Sequence, residues 1–178
     1  MYQPLGVIGV IVPWNYPLFL AIGPLAQVLA AGNNVMLKMS EYTPTFSELF
    51  KKLIAENFAQ SHVNVITGDA QIAQKFTQLP FDHLLFTGAT AIAPHVLHAA
   101  ADHLTPVTLE LGGKSPAIVA QDADLKESAR RIAFGKTMNA GQTCVAPDYA
   151  LVHRSQQDEF IKVYFEVIQQ FYPDSIAD

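Results

Sequence analysis

The chain is short of cysteine, of charge and of long apolar runs, and each shortage excludes something. With Cys144 as its single cysteine it cannot close an internal disulfide, and a secreted protein seldom keeps an odd thiol. Met1-Tyr-Gln-Pro4 also lacks the basic start of a secretory signal, so the expected location is the cytoplasm. Charged residues make up only 15% of the chain, 11 Lys and Arg against 16 Asp and Glu, for a net charge of -5. There is no basic cluster, hence no electrostatic basis for binding nucleic acid or an anionic membrane surface. The apolar stretch from Val7 to Val12 is broken by Pro13, Asn15 and Pro17, too short to cross a bilayer. No internal repeat, low-complexity tract or linker is evident.

What is present is a core. Half of the 178 residues are hydrophobic, and a chain of this size buries about 70% of the surface its unfolded form exposes. Leu5 to Val12, rich in Val and Ile, has the composition of a strand covered on both faces. Leu18 to Ala31 reads as an apolar helix with Pro24 as a kink or start, and Gly32 as its stop. Strands are predicted over Asn34 to Met39, Val63 to Ile66, His83 to Phe86, Val107 to Glu110, Ala117 to Val119 and Tyr149 to Val152. Helices are predicted after Thr43-Pro44, whose hydroxyl should cap the first turn, after Asp69, over Ala91 to Asp102, from Asp124 to Met138 and over Gln156 to Phe171. Strands separated by helices imply right-handed crossovers and an α/β fold with a mostly parallel sheet.

In such a sheet ligands bind beyond the carboxyl ends of the strands. Polar groups collect there: Asn15 after the first strand, Lys38 and Glu41 after the second, Thr67-Gly68 after the third, Thr87-Gly88 after the fourth and Glu110 on the fifth. Phe86-Thr-Gly-Ala-Thr-Ala-Ile-Ala93 is a strand, a glycine turn and a helix start, where backbone N–H groups and the helix dipole can meet a pyrophosphate. It does not match the G-x-G-x-x-G dinucleotide fingerprint, and taken alone a purely structural strand-to-helix turn explains it better. Lys38-Met-Ser-Glu41 offers donors and acceptors to ribose hydroxyls, or is an ordinary solvated turn. Cys144, set among Gly, Gln and Thr, is either a small buried hydrophobe or a nucleophile. His95 and His98 share a helix face but have no Cys or Glu at ligand spacing, so no metal is assigned.

Five ordered motifs, Pro13-Trp-Asn-Tyr-Pro17, Lys38-Met-Ser-Glu41, Phe86-Thr-Gly88, Leu109-Glu-Leu-Gly-Gly-Lys-Ser-Pro116 and Gly141-Gln-Thr-Cys144, together resemble the NAD(P)-dependent aldehyde dehydrogenases. Pro80 to Phe86, His103 to Glu110 and Cys144-Val-Ala-Pro-Asp-Tyr149 are most similar to the branch that holds the coniferyl aldehyde and fatty aldehyde enzymes. The resemblance implies a truncated aldehyde dehydrogenase fold: a partial Rossmann-like NAD-binding domain over 1–112 and the beginning of the α/β catalytic domain over 113–178. It implies a fragment of well under half a family member, and a full-length homodimer or homotetramer.

By the same resemblance Cys144 attacks the aldehyde, Glu110 is the general base that activates water, and the Asn15 amide with the Cys144 N–H stabilises the oxyanion. Lys38, Ser40 and Glu41 would face the adenosine ribose, Gly88, Ala89, Thr90 and Ala93 the pyrophosphate, and Leu111 the nicotinamide end, with Trp14, Thr87 and Gly112 completing the cofactor contacts. The implied cofactor is NAD, with NADP left open by Lys38, and the partner is a small aldehyde, aromatic or medium-chain, oxidised to the acid. The chain departs from the family at Ala89, where Ser is usual, at Ala93, where Gly is usual and Pro94 follows directly, and at Met39, which replaces proline. Two other readings are a truncated non-catalytic nucleotide-binding or interaction module, and a cysteine hydrolase or acyltransferase built on Cys144.

Overall fold

The computed structural model describes residues 3–174 and divides into two compact units, 1–111 and 112–178. In the first, a five-stranded parallel sheet is formed by β1 (Val7–Ile11), β2 (Asn34–Lys38), β3 (Val63–Ile66), β4 (His83–Gly88) and β5 (Val107–Leu111), in the order β3-β2-β1-β4-β5. Chain order runs outward from β1 to β3 and then resumes on the other side at β4. The reversal makes a crevice at the carboxyl ends of β1 and β4, the place where open α/β sheets bind ligands.

The crossovers are α1 (Phe19–Ala30), α2 (Pro44–Asn57), α3 (Ala70–Thr77) and α4 (Ala93–Ala101). Because side chains alternate along a strand, the sheet feeds two cores. Ile8, Val10, Val35, Leu37, Val63 and Val65 pack with Ala21 and Leu25 of α1 and Phe50 and Ile54 of α2. Ile11 and Met36, one residue out of phase, join Phe76 of α3, Ala93 and Val96 of α4, and Phe81, Leu84 and Phe86. Burial on both faces explains the unbroken apolar run of β1.

Gly9 is required by that second core. A Cβ there would lie 2.7 Å from the Phe81 ring and 2.8 Å from Leu84 Cδ1, inside any tolerable contact. Asn33, buried at the start of β2, uses its Oδ1 to accept from the N–H groups of Leu5 at 2.6 Å and Gly6 at 3.0 Å, fixing the approach to β1.

The second unit holds β6 (Ser115–Val119) and β7 (Pro147–Val152), a separate two-stranded parallel sheet with a register shift between Ser115 and Pro116. The single sheet implied by the strand rhythm is therefore two, because Gly112-Gly113-Lys114 joins β5 to β6 with no helix between them. Helices α5 (Leu125–Thr137) and α6 (Gln157–Phe171) pack together, burying Val119, Ala129, Ala133, Phe160 and Val167. On β6 and β7, Ile118 is 76% exposed and its register partner Leu151 52%, an open apolar pair.

Pro24 lies inside α1, so of its two readings the structure excludes the helix start. One local expectation needs correction. Thr43 precedes α2 but makes no capping bond; its hydroxyl donates instead to the Ser40 carbonyl at 3.4 Å, a competing local bond open to any Ser or Thr. Asp69 does cap, accepting from Gln71 N at 3.0 Å and Ile72 N at 3.1 Å, and Asp124 caps α5 by accepting from Glu127 N at 3.0 Å.

Candidate functional site

In the first unit the polar residues named from sequence all lie at or just past the carboxyl ends of the five strands. The β1 exit is held to β2 by Val12 N donating to the Lys38 carbonyl at 3.0 Å. Trp14, exposed, and Asn15, half-buried, follow directly. On the far side of β1, Thr87 is the register partner of Glu110 and Gly88 of Leu111, so the β4 exit and the Glu110 carboxylate-bearing residue are neighbours in the ladder. Glu110 is exposed.

The β2 exit is the most structured corner. Lys38 is buried to 1% exposure, and its Nζ donates to the Met39 carbonyl at 2.6 Å and to the Gly68 carbonyl at 2.9 Å. The Glu41 carboxylate lies 3.9 Å away and is 34% exposed. Burial pushes the Lys38 ammonium below its ordinary value, while the charges of Glu41 and Asp69 oppose that shift. Two of the three ammonium protons are committed to carbonyls, leaving one. Ser40 is buried; its Oγ accepts from Tyr42 N at 3.2 Å and its carbonyl accepts from Ser47 Oγ at 3.2 Å, so it shapes the turn that presents Glu41. Met39 N donates to Ile66 O at 3.0 Å, a bond that proline at this position could not make.

At the β4 exit, Ala89 to Ile92 turn into α4, with Ile92 N and Ala93 N both reaching the Ala89 carbonyl at 2.9 and 3.3 Å. Ala89 and Thr90 are exposed and Ala93 is buried. Pro94 stands in the first turn of α4, where its ring is tolerated but supplies no N–H to an anion.

In the second unit, Cys144 is exposed in this chain. A short 3-10 turn, Met138–Gly141, leads to it. Asn139, Ala140 and Gly141 there have φ of 51°, 55° and 75°, three successive left-handed residues. Asn and Gly accept that conformation, but Ala pays roughly 1–2 kcal/mol, and strain of this kind gathers at functional sites. A Cβ on Gly141 would lie 2.9 Å from the Lys136 carbonyl, and one on Gly113 would lie 3.5 Å from that of Cys144. The left-handed run went unread in the sequence, although Asn139 and Gly141 flanking a small residue were its signal.

Among the described residues no group of three or more His, Cys, Asp or Glu side chains could hold a metal ion, and His95 and His98 are exposed on α4. No helix among them is long and apolar enough to cross a membrane.

The sequence profile of the aldehyde dehydrogenase family matches residues 1–175. The chain belongs to that family. It is 61% identical over 173 residues to a probable coniferyl aldehyde dehydrogenase of Pseudomonas aeruginosa, covering 97% of this chain and 36% of that protein. The coniferyl aldehyde dehydrogenase of a Pseudomonas species is 52% identical over 172 residues, with the same coverage. Among solved structures, the substrate-bound state of Staphylococcus aureus AldH superposes with a TM-score of 0.93 at 44% identity, over 98% of this chain and 38% of that one. A Mycobacterium tuberculosis aldehyde dehydrogenase complexed with NAD+ gives 0.87 at 38% identity, over 93% and 35%. The chain thus spans little more than a third of its relatives' length. Its parallel α/β architecture is that of the aldehyde dehydrogenase structures.

Proposed function

We propose that the chain supplies the nucleotide-binding rim and the acyl-carrying nucleophile of an NAD-dependent aldehyde dehydrogenase that releases a carboxylic acid, with an aromatic aldehyde such as coniferyl aldehyde as substrate. The observation that supports it best is one rim of a parallel sheet carrying Asn15, the Lys38–Glu41 pair and Glu110. Family membership gives those residue types a common chemistry, and NAD-complexed neighbours support the cofactor.

The β2 corner suits a ribose: a carboxylate half-open to solvent can accept from both hydroxyls, and the last free Lys38 proton can be donated to one of them. The same carboxylate repels a phosphate on the 2′ oxygen, which favours NAD over NADP. Ala89, Thr90 and the backbone leading into α4 would take the pyrophosphate, with one donor fewer than usual because of Pro94. Trp14, Thr87, Gly88, Ala93, Leu111 and Gly112 complete the proposed cofactor contacts. When bound, NAD accepts the hydride at its nicotinamide ring.

The chain's own residues perform the rest. The Cys144 thiolate adds to the aldehyde carbon, forming a C–S bond and an oxyanion for which the Asn15 amide and the Cys144 N–H are the proposed donors. Re-formation of the C=O bond expels the hydride and leaves a thioester on Cys144. Glu110 then takes a proton from water as the water attacks the thioester, the C–S bond breaks, and acid and thiolate are released. An acylating relative would pass the thioester to coenzyme A and need no such base. A proton-accepting Glu110 therefore favours the free acid.

The test uses a chimera in which this chain replaces the matching segment of the Pseudomonas aeruginosa relative, assayed with coniferyl, benzyl and medium-chain aldehydes and both cofactors. Turnover to acid, fastest with coniferyl aldehyde and NAD, is expected; binding of NAD with no aldehyde turnover would favour a non-catalytic nucleotide-binding module. That second reading draws on the open apolar pair Ile118 and Leu151, a surface suited to another polypeptide.

A further inference from the structure

We propose that Lys114 and Asp148 are positioning residues for the Cys144 thiol, an ion-pair latch that holds the turn carrying Cys144 against the segment Gly112-Gly113-Lys114. The inference rests on the reading of Cys144 as the nucleophile. Two stretches of the second unit run side by side here. A Cβ on Gly113 would lie 3.5 Å from the Cys144 carbonyl, and at the next residue Lys114 Nζ donates to Asp148 Oδ1 at 3.2 Å. The segment thus passes close to the thiol's own backbone and is then tied to the chain four residues beyond the thiol.

The β7 side of the latch is made by an irregularity in the ladder. Ser115 pairs with Pro147 and Pro116 with Tyr149, so Asp148 is the extra residue of a bulge, and a bulge bends its strand and re-aims a side chain. The residues before it are pinned. Ala146 is buried, and its N–H donates to the Thr143 carbonyl at 3.1 Å, closing a turn with Cys144 and Val145 at its tip. Pro147 lies close to α5, where a Cβ on Gly135 would be 3.2 Å from Pro147 Cδ. Ala146 and Pro147 therefore anchor the turn, and Asp148 ties it to Lys114.

The pair is ill suited to holding the fold together. Lys114 is 80% exposed and Asp148 33%, and ion pairs open to water contribute little to global stability. What the pair can hold is an orientation. Lys114 follows Gly112-Gly113, two residues of wide backbone freedom, so the tie falls where the chain is least able to keep its own position. Cys144 is exposed, and its direction is set by the backbone that carries it.

Alkylation of Cys144 by iodoacetamide, an uncharged reagent, followed across pH in the full chain tests the latch. The rate plateau at high pH, where the thiol is fully ionised, reports its presentation, and the midpoint reports the charges near it. Lys114→Gln and Asp148→Asn should each lower the plateau by about two- to fivefold, the population shift an exposed ion pair can hold, with thermal melts close to wild type. Exchanging the charges, Lys114→Asp with Asp148→Lys, should recover the rate. High salt should slow the wild type and neither single variant, an arm that decides the matter even if a substitution unfolds the chain. A plateau unchanged or raised in either single variant, no recovery on exchange, or a wild-type rate indifferent to salt would overturn the latch and leave Cys144 as the nucleophile. A wild-type thiol that is never alkylated would remove the nucleophile and the latch together.

Discussion

The Lys38 ammonium donates to the Gly68 carbonyl at 2.9 Å, tying the end of β2 to the loop after β3 across 30 residues of sequence. Lys38→Met keeps the volume but leaves the Met39 and Gly68 carbonyls without this donor, and should lower unfolding free energy by about 1–3 kcal/mol. Burial lowers the Lys38 pKa in the fold, so on raising the pH the folded chain releases this proton before the unfolded one does. Wild-type stability from this group rises with pH up to the unfolded value, and the gap to Lys38→Met should widen from neutral pH toward pH 10. Urea denaturation at several pH values checks both statements.

Two glycines should respond oppositely to the same methyl group. Gly9→Ala drives a Cβ into the Phe81 ring and Leu84 and should destabilise by about 1–3 kcal/mol. Gly23 is inside α1 with nothing within 4 Å of an added Cβ, so Gly23→Ala should stabilise by about 0.5–1 kcal/mol. Thermal melts of the two variants decide it.

The caps give a second contrast. Asp69→Ala removes two capping bonds from α3 and should cost about 0.5–2 kcal/mol. Thr43→Ala removes no cap and should change stability by less than about 0.5 kcal/mol. The contrast shows where the sequence was legible. Asp69 and Thr43 both stand before apolar helical patterns, but the Thr43 hydroxyl turns back to the Ser40 carbonyl three residues earlier, a local competition that residue type alone does not decide. Strand and helix order, the β1 core and the rim holding Asn15, Lys38, Glu41 and Glu110 followed from apolar runs and turn residues alone. The split into two sheets was hidden because it depends on which strands pair. The left-handed run before Cys144 was legible only at its ends, since Asn139 and Gly141 favour that conformation and Ala140 between them does not.

Ala140→Gly relieves that run and should stabilise the chain by roughly 1 kcal/mol. If the strain serves to aim Cys144, the same variant should slow alkylation of Cys144 by iodoacetamide; a rate unchanged from wild type would separate the strain from the thiol's presentation.

On α5, Glu127 accepts from Arg130 at 2.8 Å and from Arg131 at 2.7 Å. These hydrogen bonds lower its pKa from 4.5 to about 2, so their stabilising effect is present above pH 4.5 and lost as pH falls through about 2. The Glu127 carboxyl carbon followed by NMR should titrate near pH 2 in low salt. Added salt, or replacement of both arginines by alanine, should move the midpoint up toward 4.5.

Glu110→Gln in the chimera should leave the thioester stranded, because acyl transfer and hydride release precede the step that needs a base. Mixed with coniferyl aldehyde and NAD, this variant should give about one equivalent of reduced cofactor per subunit and an acyl adduct that peptide mass spectrometry maps to Cys144. Sustained acid production with Cys144 unmodified would contradict a thiol that carries the acyl group and a carboxylate that releases it.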